Sequence, residues 1–583
     1  MILMFLHHPY SLYIQAFLSL LVQVLGGPKF YKGAIAGLKM RTGNMDLLIS
    51  IGTTSALIYS LLALFKVIPG EPFFETNAFL ISFVRLGKFI EERTKTRALS
   101  LLKELFALQS SRVKVWTSSG EIEINVSDLF PGDIIVVKTG DLVPVDGKIV
   151  EGLVEVDESL ISGESVPILK KKGDNLISGS IIVNGYAKVE VTSQVESSYI
   201  GVLIRLIEEA LQRKPKIQRL ADRVSHYFVQ IILLLSVAVF LIWFIKTQEL
   251  SLSFNFALAL LVISCPCAFG LAVPLAIFVG LTRTYKRGIL VKDPGGFERA
   301  GQIDILILDK TGTITVGKPK VIEFNSLDDK AIEIAFSLAL TSQHPYSKAI
   351  VEYAKQFNLS PIQLGECREV PGVGIFCGDY FLGRNPSGKG LILRDREQIL
   401  AEIEVEDEIR VEAKEVLEDI RKRGLGIILA TGDTRERAST VAEKLGIETI
   451  YAEIKPQDKL KLIEDFQKRG LKVAIVGDGV NDAPAMARAD LSFVMAEGVD
   501  IAKRVGDVIL LSGLRGIVYF FDIADKTRKR IWQNLFWAFI YNIISIPIAG
   551  GILYHKGIVL KPEFAGLMMA LSSVSVVINS IRR

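Results

Sequence analysis

At 583 residues the chain is too long for one hydrophobic core, so three or more domains are expected. Half of its residues are hydrophobic and its mean hydropathy is +0.37, which argues against a wholly soluble protein. A net charge of only +4, with no basic run interleaved with aromatics, excludes a nucleic-acid surface, and four cysteines are too few for a disulfide scaffold.

The first apolar stretch, about 10–25, ends at Gly26-Gly27-Pro28 and is followed by Lys29, Lys32, Lys39 and Arg41. No basic region precedes it and no small-residue cleavage site follows, so it reads as a membrane helix rather than a signal peptide. The glycine pair is expected to break it, with the second half amphipathic at the interface. Further apolar blocks lie at about 44–67, 73–90, 226–246, 252–281, 533–554 and 563–580, making seven in all. Each approaches the roughly 20 residues that span a bilayer. Arg93, Lys95 and Arg97 follow the third block, and Arg213, Lys214, Lys216 and Arg219 precede the fourth. Arg283, Lys286 and Arg287 follow the fifth; Lys526, Arg528, Lys529 and Arg530 precede the sixth. The opposite loops are short and nearly free of Lys and Arg, so two large polar inserts, about 98–215 and 288–525, are expected in the cytoplasm.

The first insert reads as β-rich, with strands near 113–115, 134–137, 148–150 and 187–191 between Gly, Asp and Pro turns. The second reads as α/β. Three of its strands end alike: 305–308 before Asp309, 426–430 before Thr431-Gly432-Asp433, and 472–476 before Gly477-Asp478-Gly479. Functional residues of parallel sheets collect at such carboxyl ends, so three acidic residues could converge there. Asp309 can act as a nucleophile, and an acyl phosphate on it divides one hard hydrolysis into two easier steps. Asp478 can hold Mg²⁺ together with Asp309, supported by Asn481 and Asp482. Lys459 supplies a point charge for phosphoryl oxygens and Thr431 a hydroxyl. About 100 residues separate the first two strands, too many for a simple crossover, which implies an inserted domain. Cys367 and Cys377 fall there and read as ordinary thiols.

Within the fifth apolar block lies Cys265-Pro266-Cys267. On a regular helix residues i and i+2 point about 200° apart. Pro266 removes a backbone hydrogen bond and opens the helix, so both thiols could turn toward one ion. Two buried thiolates select soft ions such as Cu(I).

The run Asp309-Lys310-Thr311-Gly312-Thr313 resembles the phosphorylation signature of P-type ATPases, the aspartyl-phosphate ion pumps. With Thr431-Gly432-Asp433, Lys459, Asp478 and Asp482 it matches that family's phosphorylation domain, implying Mg²⁺ at Asp309, Thr311, Asp478 and Asp482. Ser162-Gly163-Glu164-Ser165 is similar to the actuator loop whose Glu orients the hydrolytic water; the first hydroxyl is Ser rather than Thr, and the role carries to Glu164. His344-Pro345 with Gly372 and Gly374 resembles the nucleotide-binding signature of the heavy-metal branch, where the His and glycines contact adenine. That branch has a Glu five residues before the His, where this chain has Ala339, and its later Gly-Asn pair is blurred into Gly383-Arg384-Asn385. The Cys-Pro-Cys run, with Asn534, Tyr541-Asn542 and then Met569 with Ser572-Ser573, looks like the copper(I) and silver(I) branch. A thioether added to two thiolates suits a monovalent soft ion, whereas a zinc pump is expected to bring an intramembrane carboxylate. Met45, Glu91 and Asp222, the last preceding the fourth block, match positions that pass the ion in and out.

The expected architecture is a multi-domain α-helical membrane protein with cytoplasmic domains. Membrane helices occupy 1–97, 216–287 and 526–583. A β-rich actuator domain occupies 98–215. An α/β haloacid-dehalogenase-like phosphorylation domain, 288–319 and 411–525, carries an inserted α+β nucleotide-binding domain at 320–410. The expected activity is ATP-driven Cu(I) export, with ATP and Mg²⁺, from a prokaryotic plasma membrane and with copper delivered by a soluble chaperone. A zinc or cadmium pump of the same fold, or a membrane-anchored phosphatase that transports nothing, are the alternatives. The family has two helices before its six-helix core, usually after C-x-x-C metal-binding domains. Here one is visible and there is no C-x-x-C, so the chain is expected to begin late or to lack a helix, with Met1 on the far side.

Overall fold

A computed structural model describes residues 11–40, 43–98, 112–118, 120–158, 167–264, 267–326, 330–357, 359–370, 373–385, 390–396, 398–478, 482–496 and 505–582. The chain forms two compact units, residues 1–301 with 519–583, and residues 302–518.

In the first unit the helices Ser11–Gly26 and Pro28–Lys39 meet at a 57° bend. Pro28 has no N–H to continue the ladder, and a Cβ on Gly27 would lie 2.3 Å from the Gln23 carbonyl oxygen. The bend is therefore set by the Gly-Gly-Pro run itself. Inside the bundle, Asn77 Nδ2 donates to Ser19 Oγ and to Gln23 Oε1, both at 3.0 Å, tying the first helix to Phe74–Ala98. Hydrogen bonds of this kind hold helices together where burial alone gives little preference over lipid. Met45–Leu64, the stretch containing Lys216–Thr247, Gly516–Ala549 and 564–581 are long and apolar enough to span a membrane, and the bent pair counts as a fifth span. The two remaining expected blocks differ from simple spans. Phe74–Ala98 carries charge along its length, with Lys88 paired to Asp46 at 2.6 Å, while burying Leu80, Ile81 and Val84. Block 252–281 is not one helix but is divided into Leu250–Ile263, too short alone, and Cys267–Tyr285.

The β-rich insert is an antiparallel sheet built around Gly147–Asp157 paired with Ile181–Val191. Alternating residues such as Ile149, Val154, Val156, Ala187 and Val189 fill its core. Asp146, 7 % exposed, accepts the backbone N–H of Ser178 at 2.7 Å and of Tyr199 at 2.8 Å, pinning the helix Tyr199–Gln212 to the sheet.

In the second unit a parallel sheet runs in the order Thr449–Tyr451, Gly426–Ala430, Ile305–Leu308, Val473–Gly477, Leu491–Met495, Val508–Leu510. Leu308 is in register with Leu429 on one side and Val476 on the other, so three central strands end level. Between the Asp309 strand and Gly426–Ala430, the chain builds a six-stranded antiparallel sheet from Thr315–Ser326 to Gln398–Ile409. Helices Ala331–Ala339 and Pro345–Lys355 pack on it through Ile334, Leu338 and Ile350. Cys367 and Cys377, expected as separate thiols, face each other in register across a hairpin and form a disulfide, sulfurs 1.96 Å apart. Their spacing of ten residues does not show this; the antiparallel register of their strands does.

Replacing Asp146 by Ala leaves two buried N–H groups unpaired, at about 1–3 kcal/mol each. Hydrogen exchange in the full-length protein should then show Tyr199–Gln212 opening more readily by at least about 2 kcal/mol, with protection in the Ile305–Leu308 sheet unchanged.

Candidate functional site

The level strand ends bring the acidic motifs together. Asp309 follows Leu308, and its N–H donates to the Val476 carbonyl at 2.9 Å. Lys459, on the helix Pro456–Lys468, is 6 % exposed and reaches between two carboxylates. Its ammonium donates to Asp309 Oδ1 at 2.7 Å and to Asp482 Oδ1 at 2.8 Å. Asp482 is fully buried, seated over Gly477, where a Cβ would come within 2.5 Å of its Oδ2. Burial pushes the Asp309 carboxyl up to about 6 against the pull of Lys459, and the charge of Asp482 adds to the rise. Burial draws Lys459 down, yet the two carboxylates outweigh it and hold the ammonium above its ordinary value.

Two carboxylates sharing one ammonium leave net negative charge in a buried place. Among the described residues Asp482 Oδ2 has no hydrogen-bond partner, and neither has the buried hydroxyl of Thr313. Asp478 stands at the end of the neighbouring strand, its Cβ 4.0 Å from where a Cβ on Gly312 would be. No group of three His, Cys, Asp or Glu with metal-ligand spacing occurs among the described residues. Mg²⁺ does not need one, because it takes one or two carboxylates and fills its shell with water and phosphate oxygens. The residues present fit such an ion.

The loop after Asp309 turns sharply, with Gly312 at φ +71°, a conformation that suits glycine. Asp407 holds the far side of that turn. Its carboxylate accepts Thr315 Oγ1 at 2.5 Å and the N–H of Gly317 at 2.9 Å. Sequence reading missed Asp407, which lies 92 residues from Thr315 on the returning strand of the insert. Lys310 forms an ion pair with Asp433, whose N–H donates to Thr431 Oγ1 at 3.2 Å.

Two cavities of about 490 and 760 Å³ share His344, Tyr346, Asp433 and Arg437 in their walls. The larger reaches Lys310, Thr311 and Pro345; the smaller reaches Gly374, Gly383 and Gly432. Ala339 is wholly within the core of the insert, so that helix position offers the cavity nothing. Glu369 and Arg384 line the smaller cavity and were not singled out in the sequence. Gly163, Glu164, Gly372 and Cys265 lie outside the described residues.

Among the membrane residues, Cys267 opens the helix Cys267–Tyr285, and Glu91 belongs to Phe74–Ala98. Met569 is buried in an apolar cluster with Phe30, Ile49, Ile81 and Val84, against which Met45 packs. Ser573, one turn on, donates to the Met569 carbonyl at 3.3 Å. Tyr541 and Asn542 are half-buried on Gly516–Ala549, where Asn542 Nδ2 donates to the Ala538 carbonyl at 3.2 Å. Asp222 does not precede its helix as expected. That helix extends back to Lys216, and Asp222 sits within it, paired with Lys214 at 2.8 Å.

Residues 303–490 match the family model for haloacid dehalogenase-like hydrolases, and residues 107–208 that for the P-type ATPase actuator domain. The chain is 36% identical to a probable copper-exporting P-type ATPase of Archaeoglobus fulgidus, over all of this chain and 76% of the relative. It is also 36% identical to a probable copper-importing P-type ATPase A of Enterococcus hirae, over 97% of this chain and 81% of the relative. The crystal structure of a zinc-transporting PIB-type ATPase in an E2.Pi state superposes with a TM-score of 0.59 at 27% identity, covering 99% of this chain and 96% of that one. A haloacid dehalogenase-like domain, a P-type ATPase actuator domain and near-complete alignment with such relatives establish that the chain belongs to the P-type ATPases.

Proposed function

We propose that this ATPase exports Cu(I), and Ag(I) by the same soft-ligand chemistry, through an acyl phosphate on Asp309. The observation that carries the phosphoryl half is Lys459 bridging Asp309 and Asp482 at the carboxyl edge of the sheet. In the first half-reaction an Asp309 oxygen attacks the γ-phosphorus, the bond to the β–γ bridging oxygen breaks, and ADP leaves. Lys459 keeps the nucleophile in place and offers positive charge to the phosphoryl oxygens, Lys310 lines the larger cavity, and Thr431 supplies a hydroxyl at the adjoining strand end. Asp309, Thr311 and Asp478, with Asp482 behind them, would hold Mg²⁺, which would supply positive charge to the transferred group. In the second half-reaction water attacks the phosphorus, the bond to Asp309 breaks, and Glu164 takes the water's proton.

For the ion, Cys265 and Cys267 supply thiolates and Met569 a thioether, a donor set for a soft monovalent cation. Met45 packing beside the Met569 cluster supports an entry path through Met45, Glu91 and Asp222, and Tyr541, Asn542 and Ser573 complete the site. His344, Pro345, Gly372, Gly374 and Gly383 hold the nucleotide. The Lys and Arg flanking the membrane blocks support cytoplasmic actuator, phosphorylation and nucleotide domains. We place them at a prokaryotic plasma membrane, with a soluble chaperone delivering copper. One relative is named as an exporter and another as an importer, so the direction needs its own measurement.

Asp309→Asn should abolish phosphorylation from ATP, because an amide cannot serve as nucleophile. Glu164→Gln should still take phosphate from ATP and release it slowly. Pulse–chase labelling with γ-labelled ATP separates the two, and rapid phosphate release in Glu164→Gln would remove that residue from the hydrolytic role.

Inside-out vesicles should accumulate Cu(I) with ATP under reducing conditions. Met569→Ala should weaken Cu(I) affinity by about tenfold or more, the loss that even an outer-shell change produces. Copper leaving the vesicles would reverse the direction, and strong stimulation by Zn²⁺ would move the chain to a zinc-pump reading.

Cys265→Ser combined with Cys267→Ser should remove copper-dependent phosphorylation from ATP, yet permit phosphorylation by inorganic phosphate, a back-reaction of the metal-free state. Copper-dependent labelling that persists in the double variant would refute the transport-site assignment and spare Asp309.

A further inference from the structure

One carboxylate in the nucleotide cavity has no part in phosphoryl transfer. Glu369 stands on the strand Cys367–Val370 and lines the cavity of about 490 Å³ with His344, Gly374 and Gly383. Its Oε1 accepts a hydrogen bond from Ser342 Oγ at 2.9 Å, and the same Oγ accepts the backbone N–H of His344 at 3.0 Å. Ser342 is 5 % exposed, so one buried hydroxyl ties the carboxylate to the histidine.

That histidine has a defined tautomer. His344 caps the helix Pro345–Lys355, with Nδ1 accepting the N–H of Tyr346 at 3.2 Å. A ring nitrogen that accepts carries no hydrogen, which leaves Nε2 as the nitrogen that bears one. The cavity thus offers a hydrogen-bond donor, His344 Nε2–H, near an acceptor, the Glu369 carboxylate. Gly374 and Gly383 are cross-strand partners. A Cβ on either would come within 2.4 Å of a backbone oxygen, Leu382 for one and Val373 for the other. Bare backbone at this pair leaves space for a flat ring to lie close.

We infer that Glu369 reads the nucleobase, accepting from the exocyclic amine of adenine while His344 Nε2–H donates to an adjacent ring nitrogen. Adenine presents an amine donor beside a nitrogen acceptor; guanine presents the O6 acceptor where adenine has the amine. A guanine in the same pose sets its O6 acceptor against the carboxylate, two acceptors with no hydrogen between them, and loses the hydrogen bond that adenine gains. Glu369 is therefore a specificity-determining residue. The inference rests on the ATP-driven reading above and names what makes the site choose adenine.

The test is the dissociation constant of ATP and of GTP for the detergent-solubilised full-length chain, by equilibrium dialysis. The wild type should prefer ATP by about tenfold or more, the factor that one hydrogen bond to a charged group supplies. Glu369→Ala should weaken ATP by roughly tenfold and GTP by less than about twofold, and Glu369→Gln, which keeps an acceptor oxygen, should fall between. Labelling of Asp309 by inorganic phosphate, which carries no base, shows that each variant is folded. If Glu369→Ala gives no label, Ser342→Ala releases the carboxylate without removing it, and should lower the ATP preference about threefold. Equal losses for ATP and GTP, or an unchanged preference in the folded variant, overturn the reading of Glu369 and leave ATP-driven transport intact. A wild type that takes label from inorganic phosphate but binds neither nucleotide overturns both.

Discussion

The ammonium of Lys459, held between Asp309 and Asp482, is the interaction on which the carboxyl edge of the parallel sheet depends. Two carboxylates sharing one ammonium, Asp482 fully buried and Asp309 largely so, would without it repel and shed charge by taking up protons. One ammonium permits them to stay near each other, and the charge left over suits a divalent cation and a polyanionic substrate. Removing Lys459 would leave uncompensated charge around Asp482, so the lysine holds the fold locally and keeps Asp309 and Asp482 together.

Everything around that contact serves to keep three strand ends level. Leu308 lies between Leu429 and Val476 in strict register, so Asp309, Thr431 and Asp478 emerge at one edge although more than a hundred residues divide the first from the others. The antiparallel insert does not disturb this, because its outgoing and returning strands pair with each other, Thr315 opposite Ile409. That pairing delivers Asp407 to the phosphorylation loop and brings His344 into walls shared with Asp433. The insert is thus a second set of walls for the same cleft.

The membrane part follows a different physical rule. Apolar surface alone does not tell helices in lipid how to pair, so glycine, proline and a few hydrogen bonds do it. Gly27 and Pro28 bend the first helix, Asn77 ties it to Phe74–Ala98 through Ser19 and Gln23, and Met569 gathers with Phe30, Ile49 and Ile81. An unbranched, polarizable thioether suits such a cluster because it fills irregular gaps between rings and branched side chains.

The amino-acid sequence by itself determined what is local. The bend at Gly26-Gly27-Pro28, the strands ending at Asp309, Thr431 and Asp478, and the insert between them are legible because hydrophobic period, glycine and proline act over a few residues. Only the tertiary structure decided which distant residues meet. Cys367 faces Cys377, Asp407 grips the Asp309 loop, Asp222 lies inside its helix, and Glu369 shares a serine with His344. Each of these depends on strand register, helix extent or a long-range hydrogen bond. Such contacts arise from packing the whole chain, and no short window of sequence contains both partners and the geometry between them.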